Sequence, residues 1–206
     1  MRGKRLKFAI GGAVIARHDL SSRHLADAAK ADYAVWLKLW PSRDAGACLS
    51  PYSAFFFLNE VRTLRIKVEW FSQNTMAVAE FLARHPKVET VDYLGLKNHK
   101  LHELASRYLR MVDTERPVFG HLLSFTVKGS AGDARRFFDN LQRIFRATDL
   151  GRIKSVATIP AISTHQQQGD EGRRLAGIPA TMVRLCVGGE HPDDIIQDLD
   201  QALNKI

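Results

Sequence analysis

From Val88 to the C-terminus the chain alternates between two kinds of apolar period, and this constrains its fold more than any other feature. Val88 to Tyr93 reads as a strand. Leu101, Leu104, Ala105, Tyr108 and Leu109 mark one face of a helix. Leu123, Phe125 and Val127 then alternate with Ser124, Thr126 and Lys128, the pattern of a half-buried strand. Phe137, Phe138, Leu141, Ile144 and Phe145 return to helical spacing. Ser155 to Ile159 and Thr181 to Val187 read as two more strands. His191-Pro192-Asp193-Asp194 opens a last helix, with proline early and acids in the first turn. That helix would bury Ile195, Leu199, Ala202, Leu203 and Ile206. Such alternation predicts an α/β layer, a small sheet covered by helices on one side.

Upstream, Ser50-Pro51 pairs a hydroxyl cap with proline at a first helical position. No glycine or further proline follows through Arg84, so a single long or kinked helix is expected, ending at His85-Pro86. Its apolar residues include Phe55, Leu58, Val61, Leu64, Val68, Phe71, Met76, Val78 and Phe81. Phe8 to Ile15 reads as a short buried strand interrupted by Gly11-Gly12, and the stretch from there to about residue 45 has no clean period. The expected division is therefore a poorly defined segment 1–45 and a domain 46–206 that begins with the long helix.

Composition narrows the classes. At 206 residues, with 45% hydrophobic and 25% charged residues, the chain is long enough to bury a core and ordinary for a soluble protein. No apolar run approaches the ~20 residues of a membrane span. The basic start Met1-Arg2-Gly3-Lys4-Arg5 leads into a short apolar stretch without a secretory cleavage site. Cys48 and Cys186 read as reduced thiols, and a cytoplasmic location is expected. The net charge of +8 raises the question of nucleic acid, but the basic residues beyond the N-terminus are scattered among acids. A solvated surface accounts for them, and nucleic acid is not an expected partner.

Arg184 stands out chemically. It lies between apolar residues on the strand Met182-Val183-Arg184-Leu185-Cys186, just before Gly188-Gly189. A guanidinium fork there suits a carboxylate, held by two parallel hydrogen bonds. The alternative is a structural ion pair with a nearby acid. His99 and His102 are three apart beside Glu103, but no clear third ligand accompanies them. They read as a solvated pair, and no metal is expected.

An ordered set of segments adds a family. They run Ala45-Gly46-Ala47-Cys48-Leu49-Ser50-Pro51-Tyr52, Val78-Ala79-Glu80-Phe81-Leu82, His85-Pro86-Lys87-Val88 and Tyr93-Leu94-Gly95-Leu96. Leu123-Ser124-Phe125, Pro160-Ala161 with Ser163-Thr164-His165, Val183-Arg184-Leu185 with Val187-Gly188, and Gln201-Ala202-Leu203 follow. Residues 45 to 206 thereby resemble the C-terminal domain of the Cys/Met-metabolism pyridoxal-phosphate enzymes, most of all the O-acetylhomoserine sulfhydrylase group.

The resemblance implies the C-terminal domain of a fold-type I transferase, preceded by a remnant of the large domain that holds pyridoxal phosphate. In the family a lysine binds the cofactor as an imine, and the cofactor is the electron sink for a substrate carbanion. Acetate leaves O-acetylhomoserine and sulfide adds to give homocysteine. Arg184 matches the family arginine for the substrate α-carboxylate. Asp149 falls where relatives carry serine or asparagine; it would repel the substrate anion or pair with Arg184, or else be an exposed loop acid. Ser155, Ser163, Thr164 and His165 lie in a stretch near the site in relatives, where Ile159 replaces a common histidine. Ser163 and Thr164 are candidates for substrate contact or for local backbone bonds.

Aligned backwards, the cofactor lysine falls at about Met1, and Lys4-Arg5-Leu6-Lys7 replaces the expected histidine and glycines. Neither Lys4 nor Lys7 is assigned a catalytic role. The expectation is a truncated portion, inactive alone, with no catalytic residue of its own and doubtful cofactor binding. If active, it would take an O-acetylhomoserine-like amino acid. An interaction module that pairs with a full-length relative or another protein is the alternative. Loss of the large domain would also expose apolar surface and favour homo-oligomers.

Overall fold

The computed structural model describes residues 13–14 and 33–206. Of the strand expected over Phe8–Ile15, Ala13 and Val14 are described; both are exposed and without regular structure, and the rest lies outside the described residues. The chain forms two compact units, Met1–Leu64 and Arg65–Ile206.

In the first unit, helix α1 (Tyr33–Leu37) runs into a π-helical stretch, Lys38–Asp44. Tyr33, Trp36 and Trp40 stack along it, with ring centroids 5.9 and 6.1 Å apart. The long helix forms without interruption as α2 (Pro51–Arg84), and the Ser50 hydroxyl accepts from the Ser53 amide at 3.2 Å. Its apolar residues do not form one continuous buried stripe. Phe55, Leu58, Val61 and Leu64 are exposed, whereas Phe71, Val78, Ala79 and Leu82 are buried.

The second unit holds a five-stranded mixed sheet in the order β1 (Val88–Asp92), β2 (Leu122–Val127), β5 (Met182–Cys186), β4 (Val156–Thr158), β3 (Phe145–Arg146). All pairings are antiparallel except β3 with β4. One face is apolar. Leu123 stands opposite Leu185, which stands opposite Ala157, and Phe125 stands opposite Val183. Helices α4 (Ala131–Asp139) and α6 (Pro192–Leu203), with the second half of α2, complete one core with these residues. Phe125 meets Phe137 edge to face at 5.6 Å. At the start of α6, Pro192 occupies the first turn and the His191 ring accepts from the Asp193 amide.

The expected helix forms as α3 (His102–Tyr108), with Ala105 buried and Leu104 and Tyr108 exposed, but the next helical reading needs correction. The helix carrying Phe137 stops at Asp139. Leu141 and Ile144 are buried in the turn beyond it, and Phe145 belongs to β3. The turn mimics a helical period because the Asp198 carboxylate takes the amides of Gln142, Arg143 and Ile144, each at 2.9 Å. Between β4 and β5 two short 3-10 turns, Pro160–Ile162 and Gln166–Gln168, lead into α5 (Gly169–Leu175). None of its residues is buried, so no apolar period announces it.

A capping box starts α4. Ser130 accepts from the Asp133 amide, and the Asp133 carboxylate accepts from the Ser130 amide and hydroxyl, both at 2.7 Å. Those bonds, with Arg136, hold the Asp133 pKa down to about 2. A depressed folded-state value stabilises above the unfolded value of 3.8 and loses that stabilisation as pH falls toward about 2. The Asp133 side-chain carbon should therefore titrate near pH 2 by NMR, and Asp133→Asn should flatten the stability profile across that window. A midpoint near 4 would mean the box does not form.

Candidate functional site: an arginine on the open sheet face

Alternate strand residues share a face, so the register aligns one polar row across four strands. Asp92 is opposite Ser124, Ser124 opposite Arg184, and Arg184 opposite Thr158. Arg184, Asp92, Ser124 and His165 line a cavity of about 310 Å³, with Leu122, Pro160 and Met182 supplying apolar wall. A larger cleft of about 510 Å³ lies at the β3 edge of the sheet. Its Arg143 is paired with Asp194 at 2.7 Å, and Glu190 is bound to Ser155, so much of its charge is already satisfied.

Arg184 is half-buried and donates to the Thr148 carbonyl at 3.0 Å. Among the described residues it forms no ion pair with an acid. Asp149 pairs with Arg152 instead, three residues on. The loop is tied down a second time by the Gly151 amide, which donates to the Cys186 thiol at 3.5 Å. Burial pushes that thiol's pKa up, opposed by the Gly151 amide and the charge of Arg184.

The other candidates are occupied locally. The Ser163 hydroxyl donates to the Ile159 carbonyl at 2.7 Å and shares a hydrogen bond with the Thr158 hydroxyl at 2.9 Å. It thus touches the row through Thr158. Thr164 bonds the His165 ring at 2.8 Å, and His165 lines the cavity. Buried Ser155 accepts from the Gly188 amide and donates to Glu190. His99 bonds Asp92 at 2.8 Å and His102 bonds the Leu94 carbonyl at 2.8 Å. Asp92 and Thr158 did not emerge from sequence reasoning. Alternation gives a residue's face, but only the register gives its neighbour on the next strand.

No lysine lines the Arg184 cavity among the described residues.

A mixed sheet with helices packed on its apolar face is the fold of the C-terminal domain of fold-type I pyridoxal-phosphate enzymes. The profile of the Cys/Met metabolism PLP-dependent enzymes matches residues 7–204, and the chain belongs to that family. It is similar to O-acetyl-L-homoserine sulfhydrylase of Leptospira meyeri, 40% identical over 164 residues, 80% of this chain and 36% of that protein. It is also similar to cystathionine gamma-lyase of Dictyostelium discoideum, 36% identical over 78% of this chain and 40% of that one. A crystal structure from Campylobacter jejuni described as an O-acetylhomoserine (thiol)-lyase, which contains pyridoxyl-lysine, superposes with a TM-score of 0.75 at 35% identity. It matches 84% of this chain and 39% of its own. The chain thus spans well under half the length of these relatives. Among the described residues no helix is long and apolar enough to cross a membrane.

Proposed function

We propose that this chain supplies the substrate-carboxylate side of an O-acetylhomoserine sulfhydrylase-like enzyme of homocysteine synthesis, and that Arg184 holds the α-carboxylate of the amino-acid substrate. One observation carries this reading. Arg184 stands on the open sheet face, on the wall of a cavity, with a backbone carbonyl as its partner rather than an acid. Its fork keeps donors for an incoming carboxylate, while the Thr148 carbonyl fixes its direction. Ser124 flanks it with a hydroxyl that can donate to the same anion, whereas the Thr158 hydroxyl gives its proton to Ser163, whose own goes to the Ile159 carbonyl. In family members the cofactor supplies the electron sink for the carbanion. Asp149, Ser163 and Thr164 act around this anchor rather than on it: Asp149 through the loop that orients Arg184, Ser163 through Thr158, Thr164 through His165.

Among the described residues only this half of a site comes together, and turnover would draw on cofactor-binding residues beyond them; pairing in a homo-oligomer or with a full-length relative is the expected assembly. The exposed apolar residues of α2, Phe55, Leu58, Val61 and Leu64, suit such pairing.

The test is titration of the chain with L-homoserine, read at the Arg184 Nε–Hε resonance. Saturable movement of that resonance is expected. Arg184→Met should weaken binding, read from backbone amides of the row, by tenfold or more, since a charge-assisted hydrogen bond is worth ~1.5–3 kcal/mol. Equal affinity in Arg184→Met would remove the assignment.

A further inference from the structure

The loop before β4 places an acid beside an arginine that should bind an anion. The Thr148 carbonyl accepts from Arg184 at 3.0 Å, and the next residue is Asp149. The Gly151 amide, bound to Cys186, holds the far side of the same loop against β5. Arg184 and Cys186 share one face of that strand, so the loop is clasped at two points on it. Asp149 cannot move far from the guanidinium. Left unpaired, its carboxylate would compete for the donors that a substrate carboxylate needs. An aspartate carries two acceptor oxygens and matches the guanidinium fork as well as a substrate does.

The structure gives Asp149 another partner. Gly151 adopts φ +73°, a left-handed turn that brings the chain back on itself, and the Arg152 guanidinium closes on the Asp149 carboxylate. The side chains of the pair are 25% and 33% exposed, so they are shielded more than a solvated surface pair. Resting on the carboxylate role of Arg184, we propose that Arg152 is a positioning residue. It engages Asp149, prevents that acid from capturing Arg184, and keeps the guanidinium open to the substrate carboxylate.

The test is a two-residue cycle in the full chain, with L-homoserine as the probe and the Arg184 Nε–Hε resonance as the readout, assigned by its loss in Arg184→Lys. Arg152→Gln should weaken binding about tenfold. Adding Asp149→Asn to it should restore the affinity, and Arg152→Lys should keep it. A merely structural loss at Arg152 would lower the denaturation midpoint along with the affinity, whereas capture of Arg184 by Asp149 lowers the affinity alone. Wild-type affinity in Arg152→Gln, or no recovery in the double variant, overturns the proposal. A second readout needs no ligand. Solvent exchange of the Arg184 Hε should slow in Arg152→Gln, where Asp149 takes it, and return in the double variant. If wild-type chain does not bind L-homoserine, the carboxylate role of Arg184 fails. The exchange rates still decide the Arg152 proposal, because an unchanged rate in Arg152→Gln refutes it.

Discussion

Replacing Asp198 with alanine should lower the unfolding free energy by about 3 kcal/mol. Asp198 is 3% exposed, on the buried side of α6. One carboxylate oxygen accepts from the Gln142 amide at 2.9 Å and from the Gln201 side chain at 3.0 Å. The other accepts from the Arg143 and Ile144 amides, each at 2.9 Å. Three successive amides converging on one group form an anion-binding nest. The turn between α4 and β3 is therefore organised by a side chain more than fifty residues away. Alanine would orphan those amides in a place only partly open to water, and each costs ~1–3 kcal/mol if left unpaired. An asparagine side chain would retain an acceptor oxygen but present its amide group to a neighbouring donor, so Asp198→Asn should lose roughly half as much. Urea unfolding followed by circular dichroism tests both, with the midpoint falling and the slope unchanged. A loss below about 1 kcal/mol for alanine would show that water replaces the carboxylate without penalty.

Asp198 also shows where sequence reasoning stopped. Ile195, Leu199, Ala202 and Leu203 fall at helical spacing and are all buried, so α6 was legible from its period. β2 and β5 were legible too, because each has a continuous apolar face against the core. The turn at 141–144 was not. Leu141 and Ile144 are buried at a spacing that a helix would also give, and the signal against a helix is an acid in another element. α3 was legible as a helix, although its apolar spacing lies on a largely exposed element. At the site, Arg184 was visible as a lone charge in an apolar strand. Its neighbours Thr158 and Asp92 required the register, whereas Asp149 was named from the sequence and only its partner required the loop. An acid at that position can pair with Arg184 or with another cation, and the choice falls to Arg152, which local spacing alone does not single out.

Gly188→Ala should be at least as damaging as Asp198→Ala, about 3 kcal/mol or more, because it forces atoms into backbone. The segment after β5 crosses the loop before β4 at very short range. A Cβ on Gly188 would stand 2.5 Å from the Ile153 carbonyl oxygen and 2.5 Å from the Ser155 amide, and would also meet the Glu190 carboxylate. Neither segment can retreat. The Gly188 amide donates to Ser155 at 2.9 Å, the Gly189 amide donates to the Ile153 carbonyl at 2.7 Å, and Glu190 accepts from the Ser155 amide at 2.8 Å. On the other side Asn74 of α2 donates to the Gly188 carbonyl at 3.1 Å and the Glu190 carbonyl at 2.9 Å. Glycine is required here for close approach, not for a left-handed backbone. The contrast is Gly169, at φ +66° and ψ 177°, a nearly glycine-only backbone region with nothing within 4 Å of the place a Cβ would take, so Gly169→Ala should cost backbone strain alone, about 1–3 kcal/mol. The two variants separate the causes in one pair of denaturation curves. Gly188→Ala should also disturb Arg184, since the loop that bonds its guanidinium runs directly into the crossing at Ile153. Displaced Arg184 and Thr148 resonances in that variant, with both unmoved in Gly169→Ala, would show that the crossing sets the arginine's position as well as the fold's stability. A Gly188→Ala protein as stable as the parent would mean that the two segments do not pass this closely.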